Sequence, residues 1–178
     1  MSNPSHILTP NAGGTVLPER LGVKMVDVSG KTATLRTAVA SGHVRMAAAT
    51  RAAIQAGQIA KGDVFSAAQV AGILGAKKTS DLIPMCHPLP ISGIDIRFDL
   101  PAPEDSGKAD VVITAQVTVT GRTGVEMEAI TAVAIAAITI YDMCKGIDSG
   151  MVIGPITLLS KTGGQSGNLG PATAEGFR

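Results

Sequence analysis

The sequence predicts an α+β fold, a mainly antiparallel sheet with helices on one face, from two changes of hydrophobic period. Residues 94–100 alternate strictly, with Ile94, Ile96, Phe98 and Leu100 against Asp95, Arg97 and Asp99, and residues 111–119 repeat the alternation. Period two marks half-buried strands. The turn-rich stretch 101–108 joins them as a hairpin, since sequential strands usually pair. Residues 125–147 then form an alanine-rich apolar run of helical length, followed by a strand over 152–159. The order strand, helices, two strands, helix, strand suits helices layered on one sheet.

The earlier elements are read in the same way. Residues 1–24 carry Pro4, Pro10, Gly13, Gly14 and Pro18 without periodicity and are expected to form a flexible arm. Residues 32–46 read as a loose strand, 47–58 as a short helix, and 63–77 as a second helix capped by Asp63 and interrupted by Gly72 and Gly75. The helix over 125–147 is apolar nearly all round, with Ile130, Val133, Ile135, Ile138 and Ile140, so more than one of its sides must be covered. A domain with few large side chains covers it poorly alone, which predicts a second subunit. Gly163, Gly164, Gly167 and Gly170 mark a flexible end. The expected organisation is one folded domain over 25–167 and a flexible tail over 168–178.

Composition narrows the function classes. A length of 178 residues allows a single domain with a real core. Fifteen Lys and Arg against fourteen Asp and Glu leave no broad electrostatic footprint for nucleic acid or an anionic membrane, so any anion site must be local. Three Phe, one Tyr and no Trp supply no stacking platforms for single-stranded bases. The N-terminus lacks a signal-peptide pattern and no charge-free run reaches membrane-spanning length, which predicts a cytoplasmic protein. Two cysteines, Cys86 and Cys144, are too few for a disulfide scaffold.

The segment from Lys77 to Pro90 holds Met85, Cys86 and His87 between Pro84 and Pro88. Prolines remove amide donors and push the preceding residue out of the helical region, so Cys86 and His87 are expected on a stiff extended loop. They could be a nucleophile and base, metal ligands, or a packed thiol beside a substrate-facing imidazole. Neighbours on an extended segment point to opposite sides, which argues against their acting on one another. No other spacing completes a zinc site. Asp142 and Lys145 lie one helical turn apart, as an ordinary surface pair would, yet they follow an apolar run where a charge needs a partner or a task. Glu126 and Glu128 flank Met127, sharing a face if extended and splitting if helical; acids at a helix start also suit its dipole. Ser29-Gly30-Lys31-Thr32 looks like the end of a P-loop, but Met25 stands where the first glycine belongs. Gly121-Arg122-Thr123-Gly124 has the form of an RNA-clamping loop, though a simple strand-to-helix turn accounts for it better.

Taken in series, Met25-Val26-Asp27-Val28, Lys61-Gly62-Asp63-Val64, the stretch from Asp81 to Leu89, Gly124-Val125-Glu126-Met127-Glu128-Ala129, Tyr141-Asp142-Met143-Cys144-Lys145 and Lys161-Thr162-Gly163-Gly164 resemble the cyclic pyranopterin monophosphate synthase family. The resemblance spans residues 25–167. It implies a ferredoxin-like sandwich, a hexamer built as a trimer of dimers, and active sites at the dimer interface. The implied reaction is a phosphorus-oxygen lyase step of molybdenum cofactor biosynthesis, converting 3′,8-cyclo-7,8-dihydroguanosine triphosphate to cyclic pyranopterin monophosphate and diphosphate. No redox cofactor is implied, with Mg²⁺ an optional companion of the triphosphate. By the same resemblance Asp142, Lys145 and Lys61 are the catalytic residues, and Arg36, Met85, Cys86, His87, Glu126, Met127, Glu128 and Lys161 bind substrate. The competing readings are an oligomeric nucleotide- or RNA-binding module using residues 121–124, and a cysteine hydrolase using Cys86 and His87.

Overall fold

The structure, a computed structural model, describes residues 22–164 and 169–170. Strands β1 (Thr34–Ala47), β2 (Ile91–Asp99), β3 (Lys108–Gly121) and β4 (Val152–Thr162) form one sheet in the order β2-β3-β1-β4. Every neighbouring pair is antiparallel, and β2 and β3 pair as the hairpin expected, with Ile96 opposite Ala115. Helices α1 (Ala48–Gln55), α2 (Val64–Lys77), α3 (Thr79–Leu82) and α4 (Glu126–Cys144) complete the chain. With the helices on one side of the sheet, the architecture is α+β and ferredoxin-like.

The core lies between sheet and helices. Ala38, Ala40, Val44 and Met46 of β1 and Val111, Ile113, Ala115, Val117 and Val119 of β3 are fully buried, as the strand period requires. They meet Ala129, Ala132, Val133, Ala136, Ala137 and Ile140 on α4, also without exposure. A fully buried Val or Ile contributes roughly 1.5–3 kcal/mol, and the alanines let the backbones approach.

Gly72 and Gly75 do not interrupt α2, as their low helix propensity suggested; the helix runs through both. They sit where α2 crosses α4. A Cβ on Gly72 would lie 2.6 Å from Ile96 Cδ1 and 2.9 Å from the Ala132 carbonyl oxygen, and one on Gly75 would lie 2.7 Å from Ile135 Cγ1. Close packing outweighs propensity here. The crossing also revises the expectation for α4, because α2 supplies one of the covers assigned to a second subunit. Met127 and Ile138 remain 37% and 53% exposed on the outer side. By length and composition α4 could cross a membrane, but half of that window is buried in this core.

Local caps follow the sequence in one case and the tertiary fold in another. Asp63 caps α2, its Oδ1 accepting from the Ser66 amide at 3.1 Å. The start of α1 is tied instead by distant Asp148, whose Oδ2 accepts from the Ala47 amide at 2.9 Å and the Thr50 hydroxyl at 3.0 Å. The glycine-rich end also differs from the flexible segment expected. Gly163 and Gly164 pack against Leu35 and Arg36, and Leu169 pairs with Lys161. The expected arm over 1–24 and tail over 168–178 otherwise fall mostly on residues outside those described.

Gly72→Ala should lower stability. A helical Gly-to-Ala change gains about 0.5–1 kcal/mol in propensity, but overpacking costs about 1–3 kcal/mol. Chemical denaturation should show a net loss of about 1 kcal/mol, against a change within about 0.5 kcal/mol for Gly30→Ala, where a Cβ meets nothing. A stabilised Gly72→Ala protein would contradict the close helix crossing.

Candidate active site

The site residues gather at the two ends of α4. At its N-terminal end, β3 stops at Gly121, a short turn passes through Arg122, Thr123 and Gly124, and the helix starts at Glu126. The bland reading of residues 121–124 as a strand-to-helix turn is therefore right, yet the turn also contributes to the site. Beside it lies the proline loop. Thr79 anchors α3 by donating to the Ala76 carbonyl at 2.9 Å, the Cys86 amide closes a turn onto Ile83 at 3.0 Å, and an irregular segment leads into β2. Met85, Cys86, His87, Leu89, Thr123, Gly124, Glu126, Met127 and Glu128 line one cavity of about 360 Å³. Six of the expected substrate-binding residues thus share it.

Arg36 and Lys161 line an adjoining cavity of about 110 Å³, which shares Thr123, Gly124 and Glu126 with the first. They come from neighbouring strands, β1 and β4. Arg36 donates from Nε to the Gly121 carbonyl at 3.0 Å and from Nη2 to the Arg122 carbonyl at 3.1 Å, which pins the turn. Lys161 Nζ reaches Glu126 Oε1 at 3.1 Å. Glu126 and Glu128 split as a helical start requires: Glu126 takes the ion pair, while Glu128 is 4% exposed.

That split sets their protonation. Burial raises the Glu128 carboxyl above the usual carboxylate range, with Glu126 adding to the effect and the Glu128 amide opposing it. A partly desolvated carboxyl of this kind suits proton transfer near neutral pH. Cys86 is also pushed up, by burial first and then by Glu128. A thiol held protonated is a poor nucleophile, which counts against the cysteine hydrolase.

At the other end of α4, Asp142 lies between two lysines. Lys61 Nζ, from the loop before α2, donates to Asp142 Oδ2 at 2.7 Å and to the Asp142 carbonyl at 2.8 Å, and Lys145 Nζ reaches Oδ1 at 2.8 Å. All three catalytic candidates are therefore together, with side chains about half exposed rather than buried as the preceding apolar run suggested. Hydrogen bonds from Lys145 and then Lys61 hold the Asp142 carboxyl down at about 2. Lys145 is correspondingly raised by Asp142. Neither is poised near neutral pH, because opposite charges stabilise both charged forms.

The two groups do not meet within one chain. Glu128 and Asp142 lie fourteen residues apart on one unbroken helix, which is about 21 Å at 1.5 Å per residue. Sequence reasoning gave no site role to Lys31, Thr37 and Thr162, which line the smaller cavity. Lys31 had a signal in Ser29-Gly30-Lys31-Thr32, set aside with the P-loop.

The depressed Asp142 value gives a pH prediction. The ion-paired carboxylate favours the folded state above the ordinary value of 3.8, and that contribution fades as pH falls through about 2. Carboxyl carbon NMR should show Asp142 titrating near pH 2, with Lys61→Met moving it upward. Titration near 3.8 in the unaltered chain would contradict the bridged arrangement.

Comparison with known proteins places this site in a family. The MoaC family model matches residues 25–164, a span that contains every residue placed at either end of α4. The chain is 55% identical over 150 residues to the cyclic pyranopterin monophosphate synthase of Brevibacillus brevis, covering 84% of this chain and 91% of that protein. Its Listeria monocytogenes counterpart is 58% identical over 144 residues, covering 81% and 87% of the two chains. That of Heliobacterium modesticaldum is 53% identical over 154 residues, covering 86% and 94%. With the domain matched from the first strand's approach to the Gly163–Gly164 turn, and with near-complete relatives aligned across it, this chain belongs to the MoaC family.

Proposed function

We propose that the chain is a cyclic pyranopterin monophosphate synthase, a lyase acting on a GTP-derived cyclic nucleotide triphosphate in molybdenum cofactor biosynthesis. The observation that carries this reading is the 53–58% identity to synthases across most of both chains. The site chemistry agrees. Product formation needs proton transfers on the opening purine ring, then attack of a ribose hydroxyl oxygen on the α-phosphorus. A new P–O bond forms as the bond to the β-phosphate oxygen breaks, and diphosphate leaves. The cavity holding Met85, Cys86, His87, Met127 and Glu128 takes the ring system, with His87 contacting substrate and Cys86 packing. Lys61, Lys145, Lys161 and Arg36 neutralise phosphate oxygens.

Asp142 is the catalytic carboxylate of this reading. Its two lysines hold it ionised and occupied in the free protein. When phosphate oxygens take those lysines, the cations that depress Asp142 are shared away and the carboxylate becomes a better base for the hydroxyl proton. No redox step arises. Mg²⁺ is an optional aid to the departing diphosphate, and we place the reaction in the cytoplasm.

The separation along α4 requires a second chain. One ring cannot touch both Glu128 and Asp142 across about 21 Å, so a working site takes Glu128 from one protomer and Asp142 from its neighbour across a two-fold interface. The exposed Met127 and Ile138 on the outer side of α4 support such an interface. A trimer of these dimers is the assembly we propose.

Diphosphate release and product mass from the cyclic triphosphate test the reaction; a binding module would give neither. Asp142→Asn, nearly isosteric, should leave folding and assembly intact and slow turnover at least about a hundredfold. Wild-type rates would reject its role. Mixing inactive Glu128→Ala and Asp142→Ala chains should restore activity to about a quarter of wild type, because random pairing makes half the dimers mixed with one good site in each. No recovery after confirmed chain exchange would show that the site is built within one chain.

A further inference from the structure

The cluster around Asp142 cannot set its own geometry. Asp142, Lys61 and Lys145 are each about half exposed, and an exposed ion pair holds long side chains only weakly. Their placement comes from the backbones that carry them. Lys145 caps the last turn of α4, whereas Lys61 sits in the loop between α1 and α2, so two separate elements must be kept in place for both ammonium groups to meet one carboxylate. One side chain spans both elements. Asp148, in the turn after α4, accepts at Oδ2 from the Ala47 amide at 2.9 Å and the Thr50 hydroxyl at 3.0 Å, and at Oδ1 from the Gly150 amide at 3.1 Å.

Both ends of this clamp depend on it. On the α1 side the N-cap residue is Ala47, which carries no capping group, and the buried Thr50 hydroxyl has Asp148 as its acceptor. On the α4 side the Ile147 and Asp148 amides both donate to the Cys144 carbonyl, at 2.9 and 3.1 Å, which closes the turn holding Lys145 and Gly146. From the end of α1 the chain turns at Gly57, buries Ile59 and arrives at Lys61. The path therefore closes on itself: Asp148 to α1, α1 to Lys61, Lys61 to Asp142, and Asp142 through Lys145 back to the turn of Asp148. The Ala47 amide holds the Asp148 carboxyl below the usual carboxylate range, against partial burial and with Thr50, Gly150 and the Lys108 charge assisting. At neutral pH it is ionised, and its hydrogen bonds are charge-assisted.

We propose that Asp148 is a positioning residue for the reaction, clamping the terminal turn of α4 to the start of α1 so that Lys145 and Lys61 converge on Asp142. The proposal rests on the synthase reading for the catalytic role of Asp142. Asp148 itself touches neither substrate nor reacting atoms, and it acts through the two lysines.

The test combines carboxyl carbon NMR of Asp142 with steady-state kinetics on the assembled protein. Asp148→Ala should move the Asp142 titration upward from about 2 toward 3.8, since lysines that no longer converge stop favouring the carboxylate. The direction is diagnostic. Removing the Asp148 charge without moving the lysines would favour ionised Asp142 and shift its titration downward. Turnover should fall about tenfold to a hundredfold, the scale for a misplaced catalytic group. Asp148→Asn keeps an oxygen for Ala47 and Thr50 and should restore most of both readouts, while Thr50→Val, which leaves the charge in place, should shift Asp142 upward by a smaller amount. Ser41→Ala is the control for general loosening, because it removes a buried hydroxyl bond of 2.9 Å to the Ile113 carbonyl within the sheet. It should leave Asp142 near 2. Unfolding temperatures report that each variant is folded; if Asp148→Ala is not, Thr50→Val decides. An unmoved or lowered Asp142 titration in the folded Asp148→Ala chain, or in Thr50→Val where it decides, would overturn the clamp, as would an equal upward shift in Ser41→Ala. Because titration is read without turnover, the two readings fail separately. An upward shift with wild-type turnover would overturn the catalytic role of Asp142 alone, and an unmoved titration in an enzyme that Asp142→Asn inactivates would overturn the positioning role alone.

Discussion

The close packing of α4 between the sheet and α2 is the constraint on which the rest depends. Alanines at 129, 132, 136 and 137 bring the helix down onto β1 and β3, and the glycines of α2 let a second helix cross it at near backbone contact. Larger side chains would bury more surface per residue but lift the helix away. The consequence is positional. Seated this tightly, α4 fixes Glu126 and Glu128 against the proline loop at one end and Asp142 against Lys61 at the other.

The acidic groups are differentiated by surroundings rather than by type. Asp142 is exposed and bridged by two ammonium groups, so its charged form is favoured. Glu128 is buried beside another acid, so its neutral form is favoured. Pushing carboxyl groups apart in this way lets one fold hold a proton donor and an acceptor at the same pH. Glu126, engaged by Lys161, links the ring cavity to the basic one and limits how many cations the latter presents.

The hairpin of β2 and β3, the apolar helix and the Asp63 cap were legible in the sequence because each rests on local periodicity or a single side chain. The site was legible in parts. The confinement of Cys86 and His87 between prolines marked a loop, and the acids in the first turn of the long helix marked its start. What the residues alone could not show was which of them meet. Lys61 lies 81 positions from Asp142, and Lys161 lies 35 from Glu126.

The sequence by itself determined the alternation that pairs the strands, the helix that must be covered and the motifs that tie the chain to its family. Tertiary structure decided the rest. Gly72 and Gly75 read as helix breaks because propensity is a local quantity, whereas their role is set by Ile96, Ala132 and Ile135, which belong to other elements. Gly163 and Gly164 read as slack because glycine permits it, yet the Arg36 guanidinium turns the same freedom into a wall. Lys31 was discarded with a failed motif, since a lone lysine carries no meaning until β1 and β4 set Arg36 and Lys161 beside it. Charge and shape at a site are sums over elements distant in the chain, and only the folded arrangement performs that sum.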